Sequence, residues 1–124
     1  MASQSIEKLL ATFRGLEQRR AGLLADVLRD DELVVGTVSE VHARCGKPGC
    51  HCASGEGHPQ MRLLYAAGGR RRCKLVRTAD TDRIRRPGVR YRQVKRLLRV
   101  LAALHLRELR LLKTLIRRRG FRYR

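Results

Sequence analysis

The sequence predicts an α+β fold in which two long helices bracket a small zinc-stabilised antiparallel β unit, within a single domain spanning residues 1–124. Three observations carry that expectation. Apolar residues recur every three or four positions near both ends of the chain, the period of a helix with one buried stripe. The middle is instead rich in β-branched residues and is split by Gly68-Gly69. Within it, "RCGKPGCHCASGEGH", residues 44–58, gathers three cysteines and two histidines into fifteen residues. With 124 residues and 43% hydrophobic content, the chain can bury one small core and little more.

The N-terminal helix occupies residues 1–31. Ile6, Leu9, Leu10, Phe13, Leu16, Leu23, Leu24, Val27 and Leu28 form its stripe, interrupted only by Arg20, and Ser3 or Ser5 supplies the N-cap. The polar "RDDE" at 29–32 ends it. The zinc and hairpin unit covers 33–77. Its first strand lies in "LVVGTVSEVHARC" (33–45), which alternates in part and includes His42. "MRLLYAAGGRRRCKLVR" (61–77) then folds back at Gly68-Gly69, because glycines accept the positive φ angles of a tight turn. Cys73 is expected to pack inside as a strand residue.

The basic C-terminal helical segment covers 80–118. A short helical turn at Thr81–Arg86, capped by Asp80 or Thr81, precedes the breaker Pro87-Gly88. The long helix follows from about Val89, with Val94, Leu97, Leu98, Leu101, Leu104, Leu111, Leu112 and Leu115 on its stripe and His105 on a face. Residues 119–124 form a basic tail. Leucine stripes of this length need cover, either within one chain or in a helical homodimer.

The cysteine cluster reads as a metal site. Cys45-x4-Cys50-x-Cys52-x5-His58 offers three thiolates and one imidazole, the tetrahedral set that suits one structural zinc ion. His51 competes with His58, and Cys73 with any of the thiolates. Gly46, Pro48, Gly49, Gly55, Gly57 and Pro59 let the backbone turn tightly enough for the ligands to converge. No export signal opens the sequence, so the cysteines are expected as ligands or thiols in the reducing cytoplasm rather than as bridges. No run of 18 apolar residues exists, so no membrane span is expected. A filled Cys3His set leaves no open position for water, and Glu56 is the only acidic residue in the cluster. No phosphate loop or nucleophile elbow is present either, so the chain is not expected to be an enzyme.

At these residues a resemblance enters. "CGKPGCHCASGEGH", followed by a Tyr-containing strand and a basic strand, resembles a small prokaryotic family of unknown function marked by Cys-Gly-Lys-Pro-x-Cys-x-Cys, then Gly-x-x-His and Gly-Pro. It extends from "GTVSEVHARC" through "MRLLYAAGGRRRCKLV" to "YRQVKRLL". The resemblance implies Cys45, Cys50, Cys52 and His58 as the ligand set and sets His51 aside. The chain departs from the pattern with His58-Pro59-Gln60 and with Met61–Leu64 where relatives carry aromatics. Members often stand near mobile-element genes, which implies a nucleic-acid role and supplies no activity.

Charge points the same way. The net charge is +18, and residues 1–40 hold 5 of the 29 Lys+Arg but 7 of the 11 Asp+Glu. The polyanion-facing surface must therefore lie later in the chain. Lys47 sits in the cysteine cluster, and Arg62, Arg70, Arg71, Arg72, Lys74 and Arg77 decorate the hairpin. Arg83, Arg85, Arg86, Arg90, Arg92, Lys95, Arg96 and Arg99 crowd the entry to the second helix. Arg117, Arg118 and Arg119 lead into a tail in which Phe121, Arg122 and Tyr123 could stack on bases. The expected function is a zinc-stabilised nucleic-acid-binding module, with DNA ahead of RNA, acting as an accessory subunit of a larger DNA- or RNA-handling complex. The alternative is an adaptor that docks through its leucine-rich helices onto an acidic protein partner.

Overall fold

The computed structural model describes residues 4–124. It is α+β, with two long helices and a three-stranded antiparallel sheet. The chain forms two compact units, one from the residues up to Asp30 together with Val94–Arg124, the other from Asp31–Gln93.

In the first unit, helix α1 (Ile6–Val27) opens at Ser5, whose hydroxyl accepts the Lys8 N–H at 3.2 Å. Ser3, the other expected cap, lies outside the described residues. Helix α2 runs Thr81–Arg119 and contributes its portion from Val94 onward to this unit. There the covered positions are Val94, Leu97, Leu101, Leu104, Glu108, Leu111 and Leu115, a strict alternation of three and four. On α1 they are Leu9, Phe13, Leu16, Arg20, Leu23 and Val27, the same heptad seam. The direction is antiparallel, since Arg20 Nε meets Glu108 Oε1 at 3.0 Å and Arg118 donates to the Gln4 carbonyl near the other end.

This pairing explains Arg20. The one residue that breaks the α1 stripe faces the one acid in the α2 seam, and each satisfies the other where water is largely excluded. The seam also corrects the expected stripes. Ile6, Leu10 and Leu28 on α1, and Leu98 and Leu112 on α2, are exposed, because two helices in contact cover only a narrow seam of each.

In the second unit, β1 (Thr37–Ala43), β2 (His58–Ala67) and β3 (Arg70–Val76) pair in the order β1-β2-β3. Ala43 stands opposite His58, and Ala67 opposite Arg70. Gly68 and Gly69 join β2 to β3 at φ +59° and +75°, the two positive angles of a type I′ hairpin. Strand β1 begins four residues later than the stretch that suggested it. At Gly36, φ is +130°, and a Cβ there would meet the Leu64 carbonyl at 2.6 Å. Ahead of it, the Val34 N–H turns away to the Pro87 carbonyl at 3.2 Å.

Pro87-Gly88 does not break the helix. After a 3-10 turn at Thr78–Asp80, α2 runs through both residues without interruption. Proline costs the helix one N–H bond there, and its carbonyl is held by Val34. Gly88 is needed for proximity: a Cβ would come within 2.4 Å of Val38 Cγ2 on β1. Ion pairs fix the same junction, Arg85 to Glu40 at 2.8 Å, Arg83 to Glu32 at 2.7 Å and the buried Arg90 to Asp31 at 2.8 Å. Cys73, expected inside, is exposed, because β3 is an edge strand along which only Val76 is partly covered.

Glu108→Ala leaves the Arg20 guanidinium facing an apolar seam and is expected to cost about 1–3 kcal/mol in urea unfolding. Replacing both residues by leucine should recover that loss. Equal destabilisation by the single and double variants would contradict the role given to the pair.

Candidate metal centre

The connection between β1 and β2, residues 44–57, carries three of the four clustered side chains, and the fourth begins β2. Two backbone features close it. Gly57, at φ +92°, lies so near the end of β1 that a Cβ would meet the Ala43 carbonyl carbon at 2.5 Å. That close approach sets His58 beside Ala43 and therefore near Cys45. Opposite, a turn at His51–Ser54 starts with the Ala53 N–H donating to the Cys50 carbonyl at 3.1 Å, and it presents Cys50 and Cys52 from one short bend.

As a result, one ligand atom from each of Cys45, Cys50, Cys52 and His58 lies within 4.8 Å of the others. The Cys45 and Cys52 Sγ atoms are 3.4 Å apart, and Cys50 Sγ is 3.1 Å from His58 Nε2. A tetrahedral ion with bonds of about 2.0–2.3 Å would hold such atoms roughly 3.5–3.8 Å apart, so the four side chains could hold a metal ion. All four cysteines of the chain are free thiols. Cys52 is buried, Cys50 and His58 are partly covered, and Cys45 faces solvent.

The electrostatics suit a cation. The Lys47 backbone N–H, reinforced by the hydrogen bond with Cys52, pulls the Cys45 thiol down to about 6. Cys52 moves the other way: the Cys45 N–H favours its thiolate, but burial and the neighbouring Cys45 and Cys50 sulfurs outweigh that and raise it. Cys45 is thus the thiolate and Cys52 the proton holder of a close pair. A bound metal ion would take the place of that proton.

His51 is exposed and outside the cluster, its ring edge-on to His58 with centroids 5.4 Å apart. Cys73 lies on β3 opposite Leu64, away from the ligands. Glu56 is exposed. A cleft of about 590 Å³ adjoins His58 and is lined also by Glu40, Met61, Asp82 and Arg85. Its polar groups pair internally, Arg85 with Glu40 and with Asp82 at 3.1 Å, and this raises the Arg85 pKa. Neither Glu40 nor Arg85's link to it has a local sequence signal, since the two are 45 residues apart.

The basic residues fall into separate groups. Arg70, Arg71, Arg72 and Lys74 are exposed along β3. Arg77 is paired with Asp80, Arg83 with Glu32, Arg85 with Glu40 and Asp82, and Arg90 with Asp31. Arg62 donates to Gln60, and Arg92 to the Val38 carbonyl. Arg86, Lys95, Arg96 and Arg99 are exposed on α2. Arg117 donates to Thr114, Arg118 to the Gln4 carbonyl, and Arg119 ends the helix. Phe121, Arg122 and Tyr123 are exposed beyond it. Lys47, in the metal loop, is not brought together with Arg70–Arg72, because β2 runs its ten residues, about 30 Å, between the loop and the hairpin tip.

Cys50→Ser is expected to abolish stoichiometric metal in the purified protein and Cys73→Ser to retain it, read by elemental analysis. Metal retained in the first, or lost in the second, would contradict this ligand set. Affinity should also weaken as pH falls, and more steeply once it passes about 6 and Cys45 takes its proton. A competition titration that is flat across that range would contradict the Cys45 assignment.

Among known proteins, the model of a family described as a domain of unknown function, DUF6788, matches residues 6–86. That range takes in α1, the three strands and all four clustered side chains. No curated protein and no solved structure matches the chain.

Proposed function

We propose that this chain, which belongs to the DUF6788 family of domains of unknown function, is a nucleic-acid-binding module whose sheet is held by one structural zinc ion. Three thiolates and one imidazole in a tetrahedral spacing favour zinc over harder cations, which prefer oxygen ligands. With four protein ligands the ion keeps no position for water, so its role is structural rather than catalytic.

The observation that carries the nucleic-acid reading is the edge strand. Arg70, Arg71, Arg72 and Lys74 lie close together on β3, exposed and without a carboxylate partner among the described residues, while at the start of α2 Arg83, Arg85 and Arg90 are taken up by Glu32, Glu40 and Asp31. Arg70, Arg72 and Lys74 share one face, and Tyr65 stands opposite Arg72. Like charges at this density repel one another unless phosphates approach them. A row of basic side chains on an edge strand also discourages pairing with another sheet, so the strand is left open to a polyanion. Duplex DNA is the first ligand to test, in a complex of the mobile-element kind that the family resemblance implies.

Binding to a short DNA duplex should weaken with salt at about −0.9 log units per log unit of salt for each phosphate contacted. Arg70, Arg71 and Arg72 changed together to Ala should flatten that slope by about 2–3 while leaving metal content intact. A slope near zero in the unaltered protein, or one that survives the triple change, would remove the β3 surface from this role.

A further inference from the structure

Helix α2 carries a second apolar seam that α1 does not touch. Leu98, Ala102, His105, Leu109, Leu112 and Ile116 repeat the alternation of four and three, and all six are exposed. Leu98 is 51%, Leu109 52% and Ile116 66% accessible, in a portion of helix whose other seam buries Leu101, Leu104 and Leu115 to 7% or less. A heptad pattern offset from the first is the mark of a helix built to touch two neighbours. Across an antiparallel seam, like flanking positions face each other, so the matching row of α1, which is Glu7, Leu10, Arg14, Glu17, Ala21 and Leu24, continued by Leu28 just past the helix end, borders the same side of the hairpin. Leu10 and Leu28 are exposed there as well.

We propose that this face docks on a second copy of the chain, two helical hairpins closing into a four-helix bundle. Size supports it. From Leu98 to Ile116 the row runs about 27 Å, and two helices of roughly 10 Å diameter give a face on the order of 550 Å² per copy, or about 1,100 Å² in total, just above the ~1,000 Å² that a specific interface needs. Charge selects the occupant. Residues 94–119 hold nine Lys+Arg against one Asp/Glu, whereas residues 4–30 hold five against four, with Glu17 in the flanking row. An apolar face rimmed by positive charge repels a second α2 and accepts α1. A two-fold arrangement that lays α1 of each copy over α2 of the other satisfies both copies at once.

The test is the solution mass of the full chain after nuclease treatment at high salt, which removes any nucleic-acid bridge. The expected species is two 14.2 kDa chains at micromolar concentration. Leu109→Glu should convert it to one chain with unchanged helix content by circular dichroism. Leu106→Glu, equally exposed but off the row, should leave the dimer intact. Ile116→Glu serves as the second row variant if Leu109→Glu does not fold. A monomeric unaltered chain, including one that instead captures a different protein, overturns the proposal. So does a dimer that survives the row variants or is broken equally by Leu106→Glu.

Discussion

Four side chains that could hold one metal ion, Cys45, Cys50, Cys52 and His58, converge where β1 is joined to β2, and the proposed role of zinc in the second unit turns on that convergence. Its buried apolar side chains, among the described residues, are Cys52 and Met61. A sheet of three short strands does not hold on so small a core. Ion pairs from α2 to Glu40 and Asp31 supply part of the remainder, and a metal ion held by Cys45, Cys50, Cys52 and His58 would add a cross-link at the loop. The loop's glycines serve this end, and Gly57 most of all, since any side chain there would push β1 and β2 apart where the first and last ligands must meet.

The charge distribution follows from the same economy of core. Asp31, Glu32 and Glu40 neutralise Arg90, Arg83 and Arg85 and tie the start of α2 to the chain around β1. They leave β3 unneutralised. The basic composition therefore divides into arginines that hold the unit together and arginines that face outward, a division that net charge alone conceals.

What could be read from residues alone was what is local. The four clustered side chains fall within fourteen residues, and Gly68-Gly69 states its own turn, so both were legible. The two helices were legible through their period. Relationships between distant residues were not. Arg20 looked like a flaw until Glu108, 88 residues away, was placed against it. Pro87-Gly88 looked like a break because the pair usually is one, and only the nearness of Val38 shows why glycine stands there. Cys73 sits in a strand, as its neighbours suggested, but burial depends on what covers the strand. Leu98 and Leu112 were merged into one stripe because two seams offset on one helix blur into a single apolar period.

On this account a bound metal would hold the sheet, while the helical hairpin stands on its own seam. Hydrogen exchange on the metal-loaded protein, before and after a strong chelator, tests it residue by residue. Removing the metal should strip protection from the amides of β1, β2 and β3 and leave α1 and α2 beyond Val94 protected. Protection of the strands that is unchanged by the chelator would contradict it.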